Sequence, residues 1–145
     1  MKKLLLILLF LTLTGCAGLA DYSIPLDNRY RIDRLSAHEI AIYGDKPVQT
    51  GDDTREDYLY VPEKVTDVWW NDQYIIAKKL ELVTTENNYK EPPKNISTED
   101  ITYWIIDVKN HQILEKTDEN ALQNAIEKLG IREEVQFTPV EKLKE

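Results

Sequence analysis

The sequence predicts an α+β fold: a small, mostly antiparallel β-sheet of hairpins, with one C-terminal amphipathic helix packed on it. Three observations predict it. Short runs of Tyr, Ile, Val and Trp recur between turn-forming residues, as in Val65-Thr66-Asp67-Val68-Trp69-Trp70 and Tyr74-Ile75-Ile76-Ala77, which suits strands joined by tight turns. The segment from Ile101 to Val108 is apolar on both alternating faces apart from Thr102 and Asp107, as in a strand covered on each side. Leu122, Ala125, Ile126 and Leu129 fall at i, i+3, i+4 and i+7, the spacing of one helical stripe. With 42% hydrophobic and 30% charged residues, the chain has the profile of a globular domain rather than a disordered or fibrous one.

The N-terminus is read separately. Lys2 and Lys3 precede a nearly unbroken apolar run, Leu4 to Leu13, followed by Thr14, Gly15 and Cys16. That run is about half the ~20 residues a membrane span needs, and it matches the apolar region of a secretory leader. Leu13-Thr14-Gly15-Cys16 resembles the lipobox of bacterial lipoproteins, in which the cysteine thiol takes a diacylglyceryl group and cleavage falls just before it. Cys16 is the only cysteine, so no disulfide within the chain competes for the thiol. The expected organisation is a signal peptide over 1–15, a lipidated Cys16 with a short tether over 16–21, and a single domain over 22–145. The expected location is the extracytoplasmic face of the cell membrane. Beyond the leader the chain keeps 16 basic against 26 acidic side chains, a net charge of −10. Anionic lipid and nucleic acid would both repel it, so the lipid alone is expected to hold the domain, and nucleic acid is excluded as a partner.

Within the mature chain, Tyr22 to Leu26 and Tyr30 to Leu35 alternate apolar and polar residues around Asp27-Asn28 and read as a hairpin. His38 to Tyr43 is a third strand. Gly44 to Asp57 is polar and rich in turn residues, a surface loop. The Val65–Trp70 and Tyr74–Ala77 segments form the second hairpin. A two-residue turn would pair Trp70 with Gln73; a three-residue turn would pair Trp70 with Tyr74 and Val68 with Ile76, and gives the more consistent apolar face. Residues 84–100, with Pro92-Pro93 and no periodicity, read as a long connecting loop. Ile101 to Val108 is the central strand, and Lys109-Asn110-His111 turns into Gln112 to Glu115. Thr117 caps a helix with Asp118 and Glu119 in its first turn, and Gly130 followed by Ile131 marks its left-handed stop. Glu133 to Thr138 adds an edge strand before a charged tail, Glu141 to Glu145, expected to fray.

Five blocks together carry a resemblance: Asp21-Tyr22-Ser23-Ile24, Ser36-Ala37-His38-Glu39-Ile40, Tyr74-Ile75-Ile76-Ala77-Lys78, Tyr103-Trp104-Ile105-Ile106-Asp107-Val108-Lys109-Asn110 and Leu129-Gly130-Ile131. The chain resembles domain-of-unknown-function family 3997 (DUF3997), lipoproteins of Gram-positive bacteria. The resemblance implies the anchor and the fold, and it brings no activity with it.

Candidates for chemistry are few. His38 and His111 lack partners at metal-ligand spacing. Ser36, His38 and Asp107 are the residue types of a nucleophilic triad, but Ser36 has no nucleophile-elbow context. Asp52, Asp53, Glu56 and Asp57 offer oxygen ligands without the spacing that wraps a chain around Ca²⁺. No metal, cofactor or enzymatic activity is therefore expected. The best surface-site candidate is the aromatic hairpin with Trp69, Trp70 and Tyr74, because adjacent strand residues point to opposite faces and one Trp must find a second layer or solvent. The expected function is a non-enzymatic binding module at the cell envelope, its envelope or protein partner unidentified. The alternative is an inhibitor or immunity-type lipoprotein whose acidity complements a basic protein.

Overall fold

The structure is a computed structural model that describes residues 21–27, 29–49 and 57–144. The expected signal peptide over 1–15, Cys16, and Asp52, Asp53 and Glu56 of the acidic loop lie outside the described residues. The chain is mostly antiparallel β-structure with one α-helix among those residues, an α+β fold.

The strands form two principal sheets where the sequence predicts one. The first is a meander of β1 (Tyr22–Pro25), β2 (Tyr30–Arg34), β3 (Ile40–Gly44) and β4 (Leu59–Val61). The second runs in the order β10-β9-β6-β5-β11, from β5 (Val65–Trp70), β6 (Tyr74–Leu80), β9 (Ile101–Asp107), β10 (Gln112–Thr117) and β11 (Thr138–Pro139). A small ribbon, β7 (Val83–Thr84) with β8 (Lys90–Glu91), stands apart. The helix α1 spans Glu119–Lys128.

Alternation explains the layering. Ile32, Ile42, Tyr60 and Val61 of the first sheet share a buried cluster with Val68, Ile75, Ala77 and Ile106 of the second, as two facing sheets do. The neighbouring residues of the second sheet, Ile76 and Ile105, belong to another buried cluster with Ala125 and Ile126 of α1. Strand β9 lies between β6 and β10 and contributes to both clusters, which accounts for its nearly continuous apolar run.

Local chemistry sets the strand ends. Asp27 Oδ1 accepts from the backbone N–H groups of Arg29 and Tyr30 at 2.7 and 2.8 Å. Asn71 Oδ1 does the same for Gln73 and Tyr74 at 2.9 and 2.8 Å, and Asp107 Oδ1 for Lys109 and Asn110 at 2.9 Å each. These are Asx turns, in which a short side chain satisfies the donors that the ladder abandons. In the second hairpin this chemistry overturns both registers weighed above. Asn71 donates its N–H to the Tyr74 carbonyl at 3.0 Å, which pairs these two residues across Asp72-Gln73, so Trp70 pairs with Ile75 and Val68 with Ala77.

Several segments depart from expectation. His38 lies in the turn before β3, because Ser36 Oγ accepts from the N–H groups of His38 and Glu39 at 3.3 and 3.1 Å. Strand β4 is too short for periodicity to reveal, yet Tyr60 is fully buried. The 84–100 segment contains β8 and a 3₁₀ turn, Thr98–Asp100, closed by a capping box in which the Ser97 N–H and hydroxyl both donate to Asp100 Oδ2 at 2.8 and 2.9 Å. The cap of α1 is Asp118, whose carboxylate accepts from Ala121 N at 2.9 Å, while Thr117 ends β10. Gly130 (φ +68°) donates to Glu127 and Ile131 to Ile126, at 3.0 and 3.2 Å, a Schellman stop. The last edge strand is only Thr138–Pro139, paired with Val68 and Asp67. The tail forms a 3₁₀ turn, Val140–Lys144, held by buried Val140 and by Lys144 Nζ 4.5 Å from the Tyr22 ring centroid.

Candidate functional site

Both sheets place the same kind of feature at each end. Tyr22, the turn before β3, Glu63 and the end of β6 lie at one end, since Tyr22 pairs with Arg34, Arg34 with Ile40, and Lys64 exchanges backbone bonds with Leu80. The three Asx turns lie at the other end. Tyr30 there reaches His111, its Oη 3.0 Å from Nδ1, and Gln49 N donates to the His111 carbonyl at 2.7 Å. The six residues of β5 separate the ends by about 20 Å at ~3.3 Å per residue.

Two clefts meet at Glu133, one at the Asx-turn end and one extending from there beside α1. One, about 430 Å³, is polar and lined by Asn71, Asp72, Gln73, Lys109 and Glu133. The other, about 460 Å³, has Leu122, Ile126, Ile131, Val135 and Phe137 as its apolar lining, with Arg132, Glu133 and Glu134 among its polar residues. Asn71 Nδ2 donates to Glu133 Oε2 at 2.7 Å, so one contact joins the hairpin turn to the segment that follows α1. Clefts of a few hundred Å³ in which polar groups outweigh apolar walls suit a polar side chain or a small polar ligand. The Gly130 stop creates the second cleft by releasing residues 131–137 from the helical path while Ile131, Val135 and Phe137 stay packed on the Ile76–Ile105 cluster.

The aromatic candidates do not share one face. Trp69 and Tyr74 pack against the cluster that contains α1, whereas Trp70 packs against the core between the sheets. Each is half-buried. Trp69 and Tyr74 therefore border the cleft end, and Trp70 does not stand with them.

Asp107 is also separated from the other residues of the imagined triad. Its carboxylate is occupied by Lys109 and Asn110 at the Asx-turn end, while Ser36 and His38 lie at the end of Tyr22. Burial alone would push the Asp107 carboxyl up, but the hydrogen bonds from Asn110 and Lys109 outweigh it and hold it below the ordinary value. His111 is buried in a network between the sheets: its ring stacks on Tyr30 with centroids 6.1 Å apart, and its carbonyl accepts from Tyr60 Oη at 3.3 Å. Burial, with the Tyr60 hydroxyl alongside, pushes the Tyr30 phenol well above its ordinary range, so it remains a proton donor. Of the acidic loop, Asp57 is described, and its carboxylate caps Leu59 N at 2.9 Å. Among the described residues no group of three or more His, Cys, Asp or Glu could hold a metal ion.

Lysine 109, Glu133 and the 131–137 lining were not singled out by sequence. Their only sequence signal is the turn chemistry of Asp107 and the Gly130 stop, which fix where the chain turns but not what it then faces.

A family model described as "Protein of unknown function (DUF3997)" matches residues 27–142. No curated protein and no solved structure matches. The matched region runs from the first Asx turn to the C-terminal 3₁₀ turn, taking in both clefts, and on that extent the chain belongs to the DUF3997 family.

Proposed function

We propose that this protein is a lipoprotein of a Gram-positive bacterium, held on the extracytoplasmic face of the cell membrane by lipid on Cys16, and that its domain is a non-enzymatic binding module. The leader pattern and the sole cysteine support the anchor. Among the described residues no helix is long and apolar enough to cross a membrane. In this reading residues 22–145 act as one unit, α1 is a layer packed on the outer face of the second sheet through Ala125 and Ile126, and no cofactor is used.

One observation carries the binding role: two adjoining clefts meet at Glu133, a polar one at the Asx-turn end and one of mixed polar and apolar lining that extends from there beside α1. A tether entering at Tyr22 turns that end away from the bilayer, toward the wall or a protein partner. The second reading, an inhibitor or immunity-type protein for a basic partner, is favoured by the acidity of the chain, with Asp72, Glu133 and Glu134 outnumbering Lys109 and Arg132 at the clefts. It predicts association that weakens steeply with salt.

The test is photo-crosslinking in intact cells, with the reactive group placed at Gln73, at Glu134, or at Leu114 on β10. Discrete adducts from the first two positions and none from the third are expected. Adducts from Leu114 alone, or from no position, would refute the assignment of the clefts.

A further inference from the structure

Four of the six large apolar side chains that stand exposed among the described residues belong to segments at the Tyr22 end: Leu35 (61% exposed), Val83 (47%), Tyr89 (70%) and Ile96 (60%). Leu35 begins the turn before β3, where its N–H donates to the Glu39 carbonyl at 2.9 Å. Val83 and Tyr89 belong to the β7–β8 ribbon and its turn. That ribbon is brought to this end by an ion pair between Lys90 and Glu63, which follows β4. Ile96 precedes the Ser97–Asp100 capping box that leads into β9 opposite Leu80. Of the other two, Tyr58 lies at the cleft end beside Gly44, and Leu114 sits at the β10 bulge.

Chain length says what faces this end. Only five residues separate Cys16 from Tyr22, a reach of about 20 Å even when fully extended. A lipid at Cys16 therefore keeps these side chains within reach of the bilayer surface. Contact then becomes an intramolecular event at high effective concentration, for which a few weakly inserting side chains suffice. Tyrosine and aliphatic residues suit the interfacial zone, where an apolar body and a polar tip are both accommodated. Charge at this end is mixed, with Lys90 and Lys94 beside Glu86 and Glu91, so the contact rests on apolar burial and not on attraction to anionic headgroups.

We infer that the end bearing Leu35, Val83, Tyr89 and Ile96 rests in the interfacial zone of the membrane as a second, non-covalent contact that orients the clefts outward. This rests on the lipid anchor proposed above. The two can fail separately.

The experiment uses the mature lipidated chain in phosphatidylcholine vesicles, with single nitroxide labels attached through Leu35→Cys, Tyr89→Cys or Ile96→Cys, and through Tyr58→Cys or Leu114→Cys as references. Lipidation is checked by the mass of the N-terminal peptide. On vesicles, the first three labels should lose access to a water-soluble nickel chelate several-fold while remaining accessible to oxygen, and the references should not change. Lipidated protein whose five labels all stay equally open to the chelate overturns the contact and leaves the anchor standing. Protection that appears without vesicles means a second copy or another protein covers the patch, and also overturns it. A chain isolated without lipid removes the anchor and this inference with it.

Discussion

Gly44 closes β3 where the Tyr60 ring crosses it, and a Cβ built there would lie 2.6 Å from Tyr60 Cε2. Tyr60 is fully buried and its hydroxyl reaches the carbonyls of Lys46, Pro47 and His111 at 3.2–3.3 Å, so the ring cannot yield without breaking those bonds. Gly44→Ala should therefore lower unfolding free energy by about 1–3 kcal/mol, read from the urea midpoint, whereas Gly44 would tolerate Ala freely if the ring could swing aside. Acid stability is also decided by single residues. Burial pushes the Glu81 carboxyl up, but bonds from Lys79 and Thr102 overcome this, and the hydrogen bond from Lys90 lowers Glu63; both end below the ordinary value of 4.5. Groups that ionise more readily folded than unfolded contribute fully above their unfolded values and lose that contribution as the pH falls through their folded ones. With Asp107 depressed in the same direction from 3.8, thermal stability should hold above about pH 5 and drop progressively below pH 4.5. A melting temperature independent of pH between 5 and 3 would contradict these pairings. At this scale the sequence was informative where a side chain acts on its own backbone, as at Asp27. It was silent on Gly44 and His111, whose roles depend on partners far along the chain.

Helix α1 is marked in the sequence at both ends and along its face, because caps and a 3.6-residue stripe are local properties. Its start is nevertheless one residue later than Thr117 suggests. Thr117 completes the β10 ladder opposite Tyr103, and Asp118 takes over the cap. Asp118→Ala should cost about 1 kcal/mol in chemical denaturation, and Thr117→Ala should cost less; the reverse ranking would restore Thr117 as the cap. The hairpins were legible for the same local reasons, but the register of β5 and β6 was not. Asn71 reaches past the turn to two N–H groups, and a count of apolar alternation does not contain that hydrogen bonding. Strand β4 and the β7–β8 ribbon were missed because strands of three and two residues are too short to repeat a period of two.

Across the whole molecule, alternation marks which side of each strand is apolar, but not that β1 to β4 form a separate sheet facing β5, β6 and β9. That depends on long-range pairing of strands with similar patterns. The candidate site shares this limit: Trp69 and Tyr74 were visible as aromatic density, whereas Glu133 and Lys109 meet Asn71 only after the sheets and the segment beyond α1 are assembled. The resulting polarity of the molecule, with Tyr22 and exposed apolar side chains at one end and the junction of the two clefts at the other, has functional meaning only if the chain is held at Cys16. Mass spectrometry of the N-terminal peptide of the protein from its native membrane tests that most directly. The mature chain should begin at Cys16 carrying a diacylglyceryl group on its sulfur; an unmodified Cys16, or a peptide that retains Gly15 and the residues before it, would contradict the account.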